Sequence, residues 1–395
     1  MAGLAACVAD PGAAGYYGRP APFGLAPLPS QSLVLPGPMA PSGRRVAILL
    51  PLTGANAEIG QAMLRAAQLA LDAPGSPPLD SQDTGGTPDG AATAARRALD
   101  AGAGIILGPL TAGETATVAP VARAAGVPVL AFTSDAAQGQ PGVWTLGITP
   151  AQQARRLVLA VQAENKTRLA AVLPQNPFGD ALASGVSEAA AAAGMPEPRV
   201  VRHGAGFNGL NEGLKEVSGA NARRRARDTP EPSSTPPAPP AIDALLLGAS
   251  GEALSQAVPL LAGYDIGPAQ VRILGTALWA RDAARLGGLA GAWYAAPDPA
   301  LRAPFEQRFA ARFNGPPREL ASLAYDAAGV ARVVASPAGF APGALTRAEG
   351  FAGADGVLSL QPDGRVRRGL AIFEIDRNGS HIVQPAPRSL SAPGV

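Results

Sequence analysis

The sequence predicts an α/β protein of two Rossmann-like lobes, each built on a parallel sheet. Three observations carry this. Short, wholly apolar runs recur along the chain, as strands covered on both faces require. Alanine-rich stretches of helical periodicity separate them. A strand–loop–glycine–helix pattern that opens at Val46 opens again at Leu169.

The folded part starts at Arg44. Val46-Ala47-Ile48-Leu49-Leu50 reads as a buried strand and Pro51 to Asn56 as a loop. Glu58 to Asp72 reads as a helix with Ile59, Met63, Ala66 and Ala70 on one face. A second helix follows Pro88-Asp89 and runs through Arg96 and Leu99 to Gly102. Gly104 to Gly108 is the next strand, Glu114 to Ala125 a third helix, and Val127 to Phe132 another strand. This alternation is the mark of βαβ units and a parallel sheet. Asp80, Asp83 and Asp89 lie among Gly, Thr and Pro, and read as a solvated turn before a helix rather than a calcium site.

At Arg168 the pattern restarts. Leu169 to Pro174 ends in Leu-Pro, as Leu50-Pro51 does, and each is followed by a polar loop, a glycine (Gly60, Gly179) and an Ala-rich helix. The second lobe continues with a strand near Arg199–Arg202 and a helix near Leu210–Val217. Ile242–Leu247, a helix around Glu252–Leu261 and Val271–Leu274 follow. Two helices, Arg302–Phe313 and Arg318–Val334, come next. Val357–Leu360, Gly369–Asp376 and His381–Val383 then alternate with turn signals at Pro362-Asp363-Gly364 and Arg377-Asn378-Gly379, the pattern of hairpins.

Composition fits this plan. In 395 residues, apolar types make up 47% and aromatics 5%, so the cores must be built mainly from Ala, Leu and Val. The net charge of +2 offers no field for a polyanion. The dense basic run Arg223-Arg224-Arg225-Ala226-Arg227 lacks interleaved aromatics and runs into Pro-rich sequence. It reads as a solvated, disordered insertion, 221–241, and not as a nucleic-acid surface. No stretch reaches the roughly 20 apolar residues of a membrane span.

Cys7 is the one cysteine, so no internal disulfide can form. Leu4-Ala5-Ala6-Cys7 has the pattern of a lipobox, in which the cysteine thiol carries the lipid. Six residues precede it and none is basic, so either the start codon is assigned too late or the tetrapeptide is chance. The Pro, Gly and Ala of Asp10 to Gly43 suit a tether between lipid and domain. Residues 1–43 are therefore expected to be a lipoprotein signal remnant and tether, with lipidation at Cys7.

Enzyme chemistry finds no footing. His203 and His381 are the only histidines and stand far apart, which argues against a metal cluster or a Ser-His-Asp triad. Gly248-Ala249-Ser250-Gly251 lacks the spacing of a nucleophile elbow. No phosphate-binding glycine loop follows a strand. The expectation is a protein without catalytic residues, metal or cofactor.

Leu50-Pro51-Leu52-Thr53-Gly54, Gly108-Pro109-Leu110-Thr111, Gly126-Val127-Pro128-Val129 and the second-lobe opening through Phe178-Gly179 resemble the Leu/Ile/Val-binding-protein family. The resemblance runs from Arg44 to about Val383 and implies the type I periplasmic-binding-protein fold, with three crossovers between lobes. Lobe one would hold 44–148 and 295–348, lobe two 149–294 and 349–385, and 386–395 would be a tail. Gly275-Thr276-Ala277-Leu278-Trp279, Gly291 to Asp298, Ala321-Ser322-Leu323-Ala324-Tyr325-Asp326-Ala327 and Gly369 to Ile375 are similar to the penicillin-binding protein activators. Those are outer-membrane lipoproteins of the LpoA type, whose binding-protein-like domain stimulates a bifunctional peptidoglycan synthase. The resemblance implies a periplasmic, lipid-anchored regulator with a class A penicillin-binding protein as partner. The best-known members also carry a large N-terminal helical-repeat domain for which this chain has no room, a departure that bears on the partner and not on the fold. The alternative is a solute-binding lipoprotein of an ABC importer for a small amino-acid-like ligand.

Ligands of open parallel sheets sit beyond the carboxyl ends of the strands. The candidate cleft residues are therefore Thr53, Thr111, Ser134, Asp135, Asn176 and Phe178, with Trp279 and Tyr325 as apolar walls. Amino-acid-binding relatives place a serine hydroxyl where this chain has Ala112. Asp135 falls where they use a hydroxyl-bearing residue, and it would repel a ligand carboxylate. The other reading is that these are ordinary strand-end loop residues.

Overall fold

The computed structural model describes residues 44–225 and 239–389. Cys7 and the tether, most of the Pro-rich insertion and the end of the tail lie outside the described residues.

The first sheet contains β1 (Arg45–Leu50), β2 (Leu79–Asp83), β3 (Ala103–Leu107), β4 (Val129–Ala131) and β5 (Val143–Thr145). Helices α1 (Ala57–Leu71), α2 (Pro88–Asp100) and α3 (Ala112–Ala124) connect them. All pairs are parallel, in the order β2-β1-β3-β4-β5. β1 shows why an unbroken apolar run is needed. Val46, Ile48 and Leu50 enter the core shared with α1, while Ala47 and Leu49 enter the core beneath α2 and α3. Successive side chains point to opposite faces, so a strand covered twice must be apolar throughout.

After α4 (Pro150–Ala163) the winding repeats. The elements are β6 (Leu169–Pro174), α5 (Pro177–Ala192), β7 (Arg199–His203), α6 (Gly206–Ser218), α7 (Ala220–Arg225), β8 (Ala244–Leu247), α8 (Gly251–Gly263), β9 (Arg272–Gly275) and β10 (Trp293–Ala296). Their parallel order β7-β6-β8-β9-β10 copies the first sheet strand for strand. The chain then returns through α9 (Pro299–Phe313), α10 (Ala321–Val334) and α11 (Pro342–Leu345). A three-stranded antiparallel sheet, β11 (Phe351–Gly353), β12 (Gly356–Leu360) and β13 (Val366–Arg368), follows. Finally β14 (Ala371–Ile375) extends the second sheet antiparallel to β10, and β15 (Ser380–Gln384) adds antiparallel to β14 at the edge.

The echo between the two lobe openings has a physical basis. A Cβ on Gly60 would lie 2.1 Å from the Pro51 carbonyl oxygen, and one on Gly179 would lie 2.0 Å from that of Pro174. In each lobe the first turn of the helix presses against the end of the preceding strand, and only glycine permits that approach. Elsewhere alanine serves the same end: Ala66, Ala67 and Ala70 of α1 meet Ala324, Ala327, Ala328 and Ala331 of α10 in one core.

Four expectations differ from the structure. Residues 349–385 do not go to lobe two together. Phe351, Leu358, Leu360 and Val366 join the core of the first sheet, and the last crossing falls at 369–370. The crossing placed before 295 falls after β10, because Tyr294 and Ala296 belong to the second core. Asp80 and Asp83 are not in a turn but on β2, an edge strand with half-buried positions, so it lacks the apolar run that marks its neighbours. Residues 221–225 of the expected insertion are helical. Arg223 is anchored there by Asp265 at 2.8 Å and the Tyr264 carbonyl at 2.7 Å.

Candidate functional site

The strand order of the first sheet reverses between β1 and β3, which makes the loops beyond their C-terminal ends the natural ligand position. The polar groups there are bonded to one another. The Leu52 N–H donates to Asp83 Oδ1 at 2.9 Å, the Thr53 hydroxyl to Oδ2 at 2.7 Å, and the Gly85 N–H to Oδ1 at 2.8 Å. Burial pushes the Asp83 carboxyl up, but the bonds from Gly85, Thr53 and Leu52 outweigh it and hold it below its ordinary value. Thr111 caps α3 in a capping box with Glu114, a fully buried carboxylate that also accepts the Thr84 hydroxyl at 2.6 Å.

Beside these loops lies a cavity of about 420 Å³. Leu110, Phe132, Ile148 and Leu323 give it apolar walls, and Thr133 and Ser134 border it after β4. Its floor is a polar triad. Asp355, 1% exposed, accepts the Ser322 hydroxyl at 2.7 Å and the Arg302 Nε–H at 2.8 Å. Beneath it Asp326 accepts the Ala354 N–H at 2.6 Å and pairs with Arg368 at 3.1 Å, with no solvent on either side chain. Leu320, at the rim, is 43% exposed and holds a left-handed backbone, φ 66°. Arg281, in the turn after β9, reaches Glu319 of the other lobe with both carboxylate oxygens at 2.7 Å. That contact ties the lobes together at the solvent surface.

Of the eight cleft candidates among the described residues, Ser134 borders this cavity. Asp135 instead caps a short 3₁₀ turn, accepting the Ala137 N–H at 3.0 Å and the Gln138 amide at 3.1 Å. Asn176 caps α5 through the Gly179 N–H at 2.9 Å, and Phe178 packs on the second lobe's core. Trp279 is not a cleft wall. It is fully buried, donates to the Ala249 carbonyl at 2.8 Å, and lies so close over Gly275 that a Cβ there would meet its ring at 2.2 Å. Tyr325 packs against Phe305 and accepts from Arg308 at 2.8 Å, a contact between α9 and α10. Arg302, Ser322 and Asp355 were not legible as a site. They stand apart in sequence and meet only because α9, α10 and the β11–β12 turn converge.

The two histidines do not converge. His203 is on β7 and His381 on β15, the opposite edges of the seven-stranded sheet. Among the described residues no group of three His, Cys, Asp or Glu side chains could hold a metal ion. Nor is any helix among them long and apolar enough to cross a membrane.

The sequence profile described as periplasmic binding protein matches residues 44–380. A search of the curated proteins finds no match. Among solved structures, one assigned to a branched-chain amino acid ABC transporter of Rhodospirillum rubrum is similar with a TM-score of 0.68 and 19% identity, covering 86% of this chain and 99% of that one. Full-length LpoA from Haemophilus influenzae is similar with a TM-score of 0.66 and 17% identity, covering 87% of this chain and 59% of that one. The C-domain of the same LpoA, described as a regulator of PBP1A, is similar with a TM-score of 0.63 and 17% identity, covering 86% and 99%. At these identities the likeness shows the fold.

Proposed function

The chain belongs to the periplasmic binding protein family, and from that premise we propose that it is a lipid-anchored regulator that binds and activates a class A penicillin-binding protein. The family is periplasmic; the outer-membrane anchor rests on Cys7 and its tether. One observation carries the reading. Several polar groups around the strand ends, which a solute-binding protein would hold ready for its solute, are spent within the protein: Thr53 on Asp83, Thr111 on Glu114, Asn176 on Gly179 and, beside them, Arg302 on Asp355. A buried polar group already paired gains little by exchanging partners with a ligand. The likeness to the LpoA C-domain, over nearly its whole length, supports the same reading.

The test is a binding measurement between the purified chain and a purified class A penicillin-binding protein from the same organism. The proposal expects a saturable complex, and no detectable binding would overturn it. A second reading, a solute-binding lipoprotein of an ABC importer, is favoured by the cavity of about 420 Å³. That reading predicts that a small amino-acid-like solute raises the melting temperature by mass action. A broad metabolite screen without a shift would remove it.

A further inference from the structure

A second cavity, of about 500 Å³, lies between α4, α5 and β13 and shares no lining residue with the strand-end cavity. Its walls carry five guanidinium groups, from Arg155, Arg156, Arg365, Arg367 and Arg368, against one carboxylate, Glu188. Arg365 pairs with Asp363 and Arg368 with Asp326.

Arg156 is the telling residue. It is 6% exposed, its Nε–H is spent on the Leu370 carbonyl at 2.7 Å, and among the described residues no carboxylate pairs with it. Burial pushes its pKa down to about 10. Nearby, Arg368 is fully buried and its Nε–H meets no acceptor. Burial, and then the like charge of Arg367, push Arg155 down as well. A buried cation such as Arg156, held without a carboxylate, is costly unless an anion completes the site. Guanidinium forks match the oxygens of phosphate and carboxylate groups in particular.

We propose that this cavity binds a small organic anion through its phosphate or carboxylate group, with Arg156 and Arg367 as its principal partners. Ala151, Ala189 and Ala192 line the space between and admit an uncharged body. The volume falls in the range of small-molecule sites. α4 and α5 belong to the second lobe, whereas β13 packs through Val366 on the core of the first. A bound anion therefore bridges the lobes and biases the angle between them. This inference stands independently of the penicillin-binding protein partner.

The test uses the full chain, with calorimetric titration and thermal unfolding in glycerol phosphate, citrate, glycerol and sodium chloride at matched ionic strength. The expected result is saturable binding and stabilisation by at least one of the two organic anions, and none by glycerol. Arg367→Glu, an exposed position that should not disturb folding, is expected to weaken binding at least ~10-fold, as loss of a charge-assisted contact implies. Arg156→Gln should do the same. Should that variant fail to fold, the Arg367 variant decides. Arg312→Glu, outside the cavity, should bind as the parent does. Stabilisation by both organic anions no greater than by matched chloride, or undiminished binding by Arg367→Glu, would overturn the proposal. Vesicles containing phosphatidylglycerol separate the sources: co-sedimentation lost in Arg367→Glu assigns the anion to a lipid headgroup, and binding of the free anions alone assigns a soluble ligand.

Discussion

Arg368 and Asp326 form an ion pair without solvent contact, and Asp355 lies close enough to act on Asp326. Burial pushes the Asp326 carboxyl up to about 6; Arg368 opposes the rise and Asp355 adds to it. Arg368 is therefore the indispensable member, since without it two buried carboxylates are left with only the half-exposed Arg302. Arg368→Met should lower unfolding free energy by about 3–5 kcal/mol, the usual cost of breaking a buried pair from one side. Asp326→Asn should cost less than half of that, because the amide oxygen can still accept from Ala354. Denaturant titration of both variants checks the ranking, and equal losses would contradict it. The sign of the pH dependence follows. A folded pKa above the ordinary 3.8 means the native state takes up the proton first, so this group's contribution to stability grows as pH falls through about 6. The stability difference between wild type and Asp326→Asn should shift in favour of wild type on acidification across that window. The sequence showed Asp326 within a family-like run, but nothing in it placed Arg368 alongside. Trp279 and Tyr325 misled for the same reason: an aromatic near a loop has no visible destination until the lobe around it is packed.

At the scale of elements, much was readable. Many helix and strand positions in both lobes follow apolar runs and periodicity, because each central strand is covered on both faces and each helix buries a stripe, although α4, β5 and β10 were not read. The Leu-Pro and glycine echo was legible as a pattern, and its cause is the 2.1 and 2.0 Å approaches at Gly60 and Gly179. Gly60→Ala and Gly179→Ala should each destabilise by about 1–3 kcal/mol, as forced overpacking does. Urea midpoints should fall without change in slope. A neutral effect at either site would show that the helix can shift. β2 escaped notice because Leu79-Asp80-Ser81-Gln82-Asp83 carries one apolar residue and sits at an edge, where burial is partial. In residues 351–368 the strand at 357–360 and the turn at 362–364 were readable, but its partners β11 and β13 and its destination were not. Antiparallel strands with one apolar face can pack on either lobe, and Phe351, Leu358 and Leu360 chose the first. The second lobe is held by comparably specific contacts. Arg272 pairs with Glu164 at 2.9 Å and stacks over Trp293 at 4.2 Å, joining the end of α4 to β9 and β10.

The whole molecule is two copies of one winding, joined by three crossings and closed at the surface by Arg281 and Glu319. Both partners of that contact are largely exposed, at 73% and 76%. Arg281→Ala should therefore change unfolding free energy by less than about 1 kcal/mol. It should nonetheless broaden the spread of lobe separations seen in solution scattering, whereas identical scattering curves would show that the crossings alone set the angle. The two-lobed plan was visible from the repeated opening; the state of its cleft was not, because hydrogen bonds such as Thr53 to Asp83 join residues that only the sheet brings together. Those bonds are what turn the reading from a solute trap to a scaffold. The most direct test is the rate of glycan polymerisation and cross-linking by a purified class A penicillin-binding protein, measured with and without the purified chain. A saturable rise in either rate, unaffected by free amino acids, is the predicted result. Rates that stay unchanged at all concentrations of the chain would contradict it.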